Sequence, residues 1–381
     1  MLTQHIRAGS LKLKLTEGAT RIDELLAFAS RENPQRGYLF VSKVLGKHIP
    51  VRPTTMRAIY QELAQRCAPH GSTLVVGMAE TATGLGAGLA DSLAHDNPAQ
   101  PVYYQHTTRH ALPDHPLWFT LNESHSHAVD HLFYQPNTKV FDAICACKTL
   151  ILVDDEITTG RTLTQLLSQL LSRLHHVQRV MVVSLANWLS NDAEHAFTRM
   201  APNVIFVQLI KGSFTFTAKP DFAPRLPPTA DRAVCRHSSR SDLGRTGLRM
   251  PYTPTRAEQT LIQSLPSTSA QTYTVVGTGE HLYLPFLLAE MLEKTQNVLF
   301  QSTTRSPILL GDAITRKIAF PIDDNRVHYI YNLPSDRKSL ILCESQVLAQ
   351  HHGFVRGKQW EITETEHTTD FTASKKSSNA H

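Results

Sequence analysis

No stretch of this sequence runs apolar for the roughly twenty residues that a membrane-spanning helix needs, and its opening residues, MLTQHIRAGSLKLKL, lack the hydrophobic core of a secretion signal. A soluble, cytoplasmic protein is therefore expected. Cysteine is scarce: Cys67, Cys145, Cys147, Cys235 and Cys343 are odd in number, scattered, and without the CxxC spacing of a zinc framework. They read as reduced thiols. Charge of one sign is also missing, since 38 basic residues stand against 33 acidic ones. A net charge of +5 suits a protein that handles phosphorylated small molecules and does not favour a nucleic-acid-coating role.

What is present is alternation. Short apolar runs and amphipathic stretches succeed one another up to about residue 210, as in STLVVGMA, GLGAGLADSLA, PVYYQ, TLILVDD, RVMVVSLAN and NVIFVQLI. This βαβα order predicts an α/β fold with a parallel sheet. The helix after residue 160 has a clear apolar stripe of Leu163, Leu166, Leu167, Leu170, Leu171 and Leu174. The stretch 218–256 is rich in proline, arginine and serine and reads as an interdomain arm between a first domain, 1–217, and a second α/β domain, 257–366. Its arginines (Arg225, Arg232, Arg236, Arg240, Arg245, Arg249, Arg256) fit a solvated linker or a nucleic-acid contact. Residues 367–381 are polar and are expected to be disordered.

The most informative stretch is LILVDDEITTGRT, residues 150–162. An apolar strand ends in Asp154 and Asp155, and the chain then enters a helix through Thr158, Thr159, Gly160, Arg161 and Thr162. At the carboxyl end of a parallel strand, free first-turn N–H groups and the helix dipole form an anion seat, and a glycine allows close approach. Two acids before such a seat suit a ligand with a vicinal diol one ring away from its phosphate, the layout of ribose 5-phosphate. An ordinary capped helix after a buried strand is the plainer alternative.

The run of aliphatics, Asp-Asp, two residues and Thr-Thr-Gly-x-Thr resembles the phosphoribosyl diphosphate (PRPP) signature of type I phosphoribosyltransferases of the orotate type. The resemblance implies that fold, a PRPP-dependent pentosyl transfer to a base with Mg²⁺ as cofactor, and a homodimer as a compatible assembly. It assigns Asp154 and Asp155 to the ribose hydroxyls near the metal and Thr158 to Thr162 to the 5′-phosphate. It further places Glu80, Thr81, Ala82 and Thr83 of VVGMAETATG in the pyrophosphate loop, and Arg109 of YYQHTTR as a catalytic arginine on the pyrophosphate. His110 follows that arginine where the family usually has lysines, and Glu80 departs from a neutral anion cradle. Lys43, Lys47, His48 and Arg52 of SKVLGKHIPVRP match the basic segment of the family's hood over the base.

Glu123, His125, His127, Asp130 and His131 occupy the family's lid position. They read as acid–base or base-contacting groups, as a polar loop, or, from the HxHxxxH spacing, as a zinc site. Three pairs of segments recur in order: VVGMAE with VVGTGE at 275–280, YYQHTTR with LFQSTTR at 299–305, and KTLILVDDE with KSLILCESQ at 338–346. The second domain therefore reads as a degenerate copy in which the acidic pair became Glu344 and Ser345, with Gly277, Gly279, Glu280, Thr304, Arg305 and Ser306 as site candidates. The run TTRSP at 303–307 resembles the name-giving motif of the TRSP domain that follows a phosphoribosyltransferase domain in proteins of tellurite-resistance-associated gene clusters. A non-catalytic PRPP or nucleotide sensor is the competing reading of the same fold.

Overall fold

The structure, a computed structural model, describes residues 1–31, 33, 36–121, 131–222, 243–265, 271–322, 326–355 and 360–362. The first unit opens with β1 (Leu2–Ile6), β2 (Gly9–Glu17), a short helix α1 (Ile22–Leu25), a hairpin of β3 (Leu26–Ser30) and β4 (Tyr38–Ser42), and α2 (Pro53–Arg66). It continues with β5 (Thr73–Gly77), α3 (Ala82–Asp96), β6 (Val102–His106), a second hairpin of β7 (Leu117–Leu121) and β8 (His131–Tyr134), α4 (Phe141–Cys145) and β9 (Thr149–Ile157). It ends with α5 (Arg161–Leu171), β10 (Arg179–Asn187), α6 (Asn191–Met200) and β11 (Val204–Ala218). One eight-stranded sheet has the order β1-β2-β11-β10-β9-β5-β6-β12, where β12 is Leu248–Met250. Its centre, β11 to β6, is parallel, and β2 and β12 join it antiparallel.

The central strands are covered on both faces, so they carry continuous apolar text: every residue of β5 is buried, as are Thr149–Val153 of β9. On α5 the predicted leucine stripe is buried at Leu163, Leu166, Leu167 and Leu170. The chain leaves β5 toward β6 on one side, then returns to β9 and β10 on the other. The crevice beyond the carboxyl ends of β5 and β9 is therefore a topological switch point, the usual ligand position of an open α/β sheet.

The second unit contains α7 (Arg256–Gln263), β13 (Thr272–Gly277), α8 (Tyr283–Glu293), β14 (Asn297–Ser302), a hairpin of β15 (Lys317–Ile322) and β16 (Arg326–Tyr331), β17 (Lys338–Leu342), α9 (Gln346–His351) and β18 (Trp360–Ile362). Strands β14-β13-β17 are parallel and repeat the order β6-β5-β9. The equivalences extend to single hydrogen bonds. Thr107 N–H donates to Gly77 O and Thr303 N–H to Gly277 O, both at 3.0 Å, and the Tyr134 and Tyr331 hydroxyls accept from Leu112 and Ile308 N–H, both at 2.8 Å. The expected copy is present, with one correction of register. Gly77 faces Val153 while Gly277 faces Leu342, so Glu344 stands where Asp155 does, and Cys343 where Asp154 does. Alignment by letters alone, KTLILVDDE on KSLILCESQ, is one residue out of this register.

A second correction concerns the expected arm. Strand β11 runs to Ala218, and from Leu243 the chain is part of the fold: β12 pairs with β6, and Arg245 is among the largest fully buried side chains. A solvated or nucleic-acid-binding role is thereby excluded for Arg245. Arg249 and Arg256 are exposed, and Arg225, Arg232, Arg236 and Arg240 lie outside the described residues, as do residues 367–381. Among the described residues no helix is long and apolar enough to cross a membrane.

Candidate active site

At the switch point β9 passes from its buried apolar run into three half-buried acids, Asp154, Asp155 and Glu156. The Asp155 N–H donates to Asp154 Oδ1 at 3.0 Å. Burial, and then the neighbouring Asp155 charge, raise the Asp154 carboxyl well above the ordinary carboxylate range. Burial also raises Asp155, against the pull of Asp154 hydrogen bonding and of Lys47 and Arg31. Glu156, next in line, pairs with Arg36 at 2.8 Å, yet burial pushes its carboxyl up to about 7. Glu156 thus has its own cation, and Asp154 and Asp155 are the two acids whose burial penalty a further donor or cation would relieve. Their oxygens are hard donors of the kind that suits a divalent cation such as magnesium.

Beyond them the chain turns through Gly160, whose φ of 69° lies in the left-handed region, into the first turn of α5. Thr158 is half-buried, Thr159 and Arg161 are exposed, and at the opening of α5, whose first N–H groups have no acceptor within the helix, the Arg161 N–H lies 3.5 Å from Thr159 Oγ1. The phosphate seat expected at Thr158 to Thr162 is thus next to the acidic pair.

Residues 79–83, which run from the loop after β5 into the first turn of α3, are on the other side of the crevice. Glu80 Oε2 accepts from the Thr304 hydroxyl at 2.9 Å and lies 3.4 Å from Lys47 Nζ. Burial pushes the Glu80 carboxyl up, but Lys47, Arg305 and the Thr304 hydrogen bond outweigh it and bring it below its usual range. Lys47 is buried, with Nζ donating to Gly279 O at 3.0 Å and to Thr303 O at 2.8 Å. Burial lowers the Lys47 pKa, and Glu80 offsets part of that. The Thr83 hydroxyl lies 3.0 Å from the carbonyl oxygens of both Glu80 and Glu280. Thr81 is half-buried and Ala82 buried at the start of α3.

The two units exchange these contacts reciprocally. Arg109, expected at the pyrophosphate, donates its N–H to Glu280 Oε1 at 2.6 Å, and its guanidinium lies 3.4 Å from His131 Nε2. The arginine whose charge acts on Glu80 is its counterpart Arg305. Ser306 follows it, with its N–H on Thr304 Oγ1 at 3.2 Å. Thr108 donates to Glu280 Oε2 at 2.5 Å, as Thr304 does to Glu80. Asn332 Nδ2 donates to His48 O at 3.2 Å and Asn137 Nδ2 to Thr246 O at 2.9 Å. Gly46 and Gly244, each at positive φ, pack under Phe300 and Tyr104 of the opposite unit. These pairs show that Leu243-Gly244-Arg245 is the second unit's Leu45-Gly46-Lys47.

Sequence reasoning thus missed Arg245, whose guanidinium binds Glu344 and, at 3.0 Å, Glu280, and it also missed Glu156 with Arg36. The matching LGK and LGR triplets were the available signal. Among hood candidates, Lys43 donates to Asp23 O at 2.5 Å, while His48 is buried and driven down to about 3 by burial and the Lys47 charge. Arg52 pairs with Glu293 of α8 at 2.9 Å. Gly279 stands close to Glu80, and Gly277 ends β13. Of the lid candidates, His131 is buried with Nδ1 3.0 Å from Thr107 Oγ1, and Glu123, His125, His127 and Asp130 lie outside the described residues. Among the described residues no three His, Cys, Asp or Glu side chains are grouped to hold a metal.

Comparison with known proteins bears on the same two units. Residues 25–213 match the family described as phosphoribosyl transferase, and residues 243–355 match the TRSP domain found C-terminal to it. No protein of curated function matches the sequence. Among solved structures, adenine phosphoribosyltransferase from Trypanosoma brucei is similar at 13% identity over 50% of this chain and 78% of that one, with a TM-score of 0.36. Orotate phosphoribosyltransferase from Francisella tularensis is similar at 13% identity over 48% and 79%, with a TM-score of 0.30. At such scores these two add nothing to the family match. The chain belongs to the family in which a phosphoribosyl transferase domain is followed by a TRSP domain.

Proposed function

We propose that this protein transfers the ribose 5-phosphate group of PRPP to a nitrogen of a base or base-like acceptor, with release of pyrophosphate, in a nucleotide-like biosynthetic or salvage pathway. The observation that carries the reading is the half-buried Asp154–Asp155 pair at the sheet's switch point, ahead of the Gly160 turn into α5. Carboxylates held above their ordinary range by burial gain most from a partner that donates hydrogen bonds, as the ribose 2′ and 3′ hydroxyls would. The 5′-phosphate would lie on the N–H groups and hydroxyls of Thr158 to Thr162. That orientation leaves C1 toward residues 79–83, where Lys47 and Arg305 can meet the departing charge.

In the reaction the C1–O bond to pyrophosphate breaks with its electron pair, a C1–N bond forms from the opposite face, and the nitrogen loses a proton. Mg²⁺, when bound with the donor, would neutralise diphosphate charge, with Asp154 and Asp155 as the nearby oxygen donors. The contribution of this chain is orientation and preset charge. The division into a first domain and a TRSP-like domain belongs to the same proposal, with Leu243–Met250 counted among the second unit's residues. The acceptor is found by screening bases for pyrophosphate release. Calorimetric titration of Mg-PRPP into wild type and into the Asp154→Asn/Asp155→Asn variant tests the donor site: binding should be lost in the variant, and absence of wild-type binding would discard the reading.

A further inference from the structure

Both units set a glutamate in the loop after their first parallel strand, Glu80 and Glu280, and each glutamate accepts from the middle threonine of the other unit's Thr-Thr-Arg. The two carboxylates are held differently. Glu280 is closed in: Oε1 takes the Arg109 N–H, Oε2 takes Thr108 and Arg245, and the side chain is 2% exposed. At Glu80 one oxygen takes Thr304 at 2.9 Å and faces Lys47 at the longer distance of 3.4 Å, and the side chain is 16% exposed. Lys47 meanwhile has Gly279 O and Thr303 O to donate to, so it keeps its place without Glu80.

The donor reading above fixes what else must fit here. With the ribose diol on Asp154 and Asp155 and the 5′-phosphate over α5, the diphosphate falls on the β5 side of the crevice, among Lys47, Thr304 and Arg305. A carboxylate already stands there. A diphosphate arriving beside it would bring like charges together, which weakens its binding.

We propose that Glu80 is an internal placeholder for the diphosphate end of the donor, filling the cationic seat between Lys47, Thr304 and Arg305 when no ligand is bound and giving it up when one binds. The proposal rests on the donor-site reading, and its consequence is that the Glu80–Thr304 clasp between the units opens on binding. The sealed Glu280 is the same device made permanent by Arg245.

The test titrates full-length wild type, Glu80→Gln and Glu80→Ala with magnesium pyrophosphate and separately with Mg-PRPP, with thermal unfolding to show which variants are folded. Removing the competing charge should tighten pyrophosphate binding by about tenfold or more in either folded variant. The Ala variant also removes the acceptor for Thr304, which Gln keeps. Weaker or unchanged binding in the variants would overturn the placeholder and mark Glu80 as a ligand of the donor's metal or as a simple brace. So would pyrophosphate binding to none of the three proteins. Tighter pyrophosphate binding with no PRPP binding by any form would sustain the placeholder and discard the donor reading.

Discussion

Lys47 and Arg245 hold the same position in the two units, and the groups around them are opposite in character. Arg245 lies between Glu280 and Glu344, both buried and both held below their ordinary range: burial raises each, but the His110 and then the Arg245 charge outweigh it at Glu280, and the Arg245 charge first of all does so at Glu344. Lys47 donates mainly to backbone carbonyls of the other unit, which leaves the shorter acids of β9 with raised pKa values and no arginine fork between them. The loops diverge in the same sense. After β9 comes the open turn through Gly160, whereas after β17 Ser345 directly caps α9, its hydroxyl accepting from Leu348 N–H at 3.2 Å. Duplicated geometry thus gives a site where burial costs are left for a ligand to relieve, and a seam where they are relieved internally. The difference lies in a few side chains on one topology.

The largest effects should come from exchanging these conditions. Asp154→Asn with Asp155→Asn should lower turnover by on the order of a thousandfold. It should not lower the unfolding temperature, because it removes two carboxyls that burial disfavours. A folded variant with normal turnover would end the claim that this end of β9 is the site. In the seam the sign for stability reverses: Arg245→Met leaves Glu280 and Glu344 buried without their cation, at a cost of about 3–5 kcal/mol in urea unfolding. Lys47→Met should cost clearly less, since burial already disfavours that ammonium. Equal losses would mean that both positions are braces.

Much of this was legible. The strands of the parallel core, the apolar stripe of α5 and the recurrence of VVGxxE and TTR all follow from letters whose burial and periodicity leave few alternatives. The slip of one residue between β17 and β9 has a physical origin. A strand covered on both faces is apolar throughout, so its text does not say which residue faces which neighbour. Arg245 escaped because arginine among prolines and serines reads as solvated, and only its buried partners Glu280 and Glu344 show otherwise. Glu156 escaped because an acid before a helix suits the helix dipole whether it is buried or exposed. The exchange of Arg109 for Arg305 depends on how the units dock, which neither repeat encodes alone.

The acid next to the pair gives a pH signature that sets the two units apart. The folded pKa of Glu156, about 7, is above its ordinary 4.5, so the native state binds more protons than the unfolded chain between those values. Stability from this group is therefore complete below about pH 4.5 and is lost as pH rises through about 7, by roughly 3 kcal/mol at most. Asp154 and Asp155 act in the same direction, while Glu280 and Glu344, held low, contribute stability that is lost only as the solution becomes acidic. Urea unfolding between pH 4.5 and 8 should accordingly be less steep in Glu156→Gln. An unchanged slope would mean that Arg36 already holds Glu156 ionised throughout.

The smallest effect separates a loop that binds from a loop that merely turns. Gly160 has φ of 69°, and a Cβ there would meet Leu189 Cδ2 at 2.9 Å and Phe197 Cε2 at 3.0 Å. Gly160→Ala should cost about 1–2 kcal/mol from the left-handed conformation, with some repacking of those two side chains. Ser345→Ala, at the N-cap of the helix that follows β17 in the second unit, loses only a cap, about 1 kcal/mol. The two variants therefore differ little in urea unfolding. They should differ in ligand binding, because shifting the turn at Gly160 moves the first N–H groups of α5, the proposed seat of the 5′-phosphate, whereas Ser345 caps a different helix, α9. A several-fold loss of ribose 5-phosphate affinity in Gly160→Ala alone is the expected result. Equal affinities in both variants would mean that the glycine turn is a packing solution between α5, Leu189 and Phe197, and that the phosphate of the donor is held elsewhere.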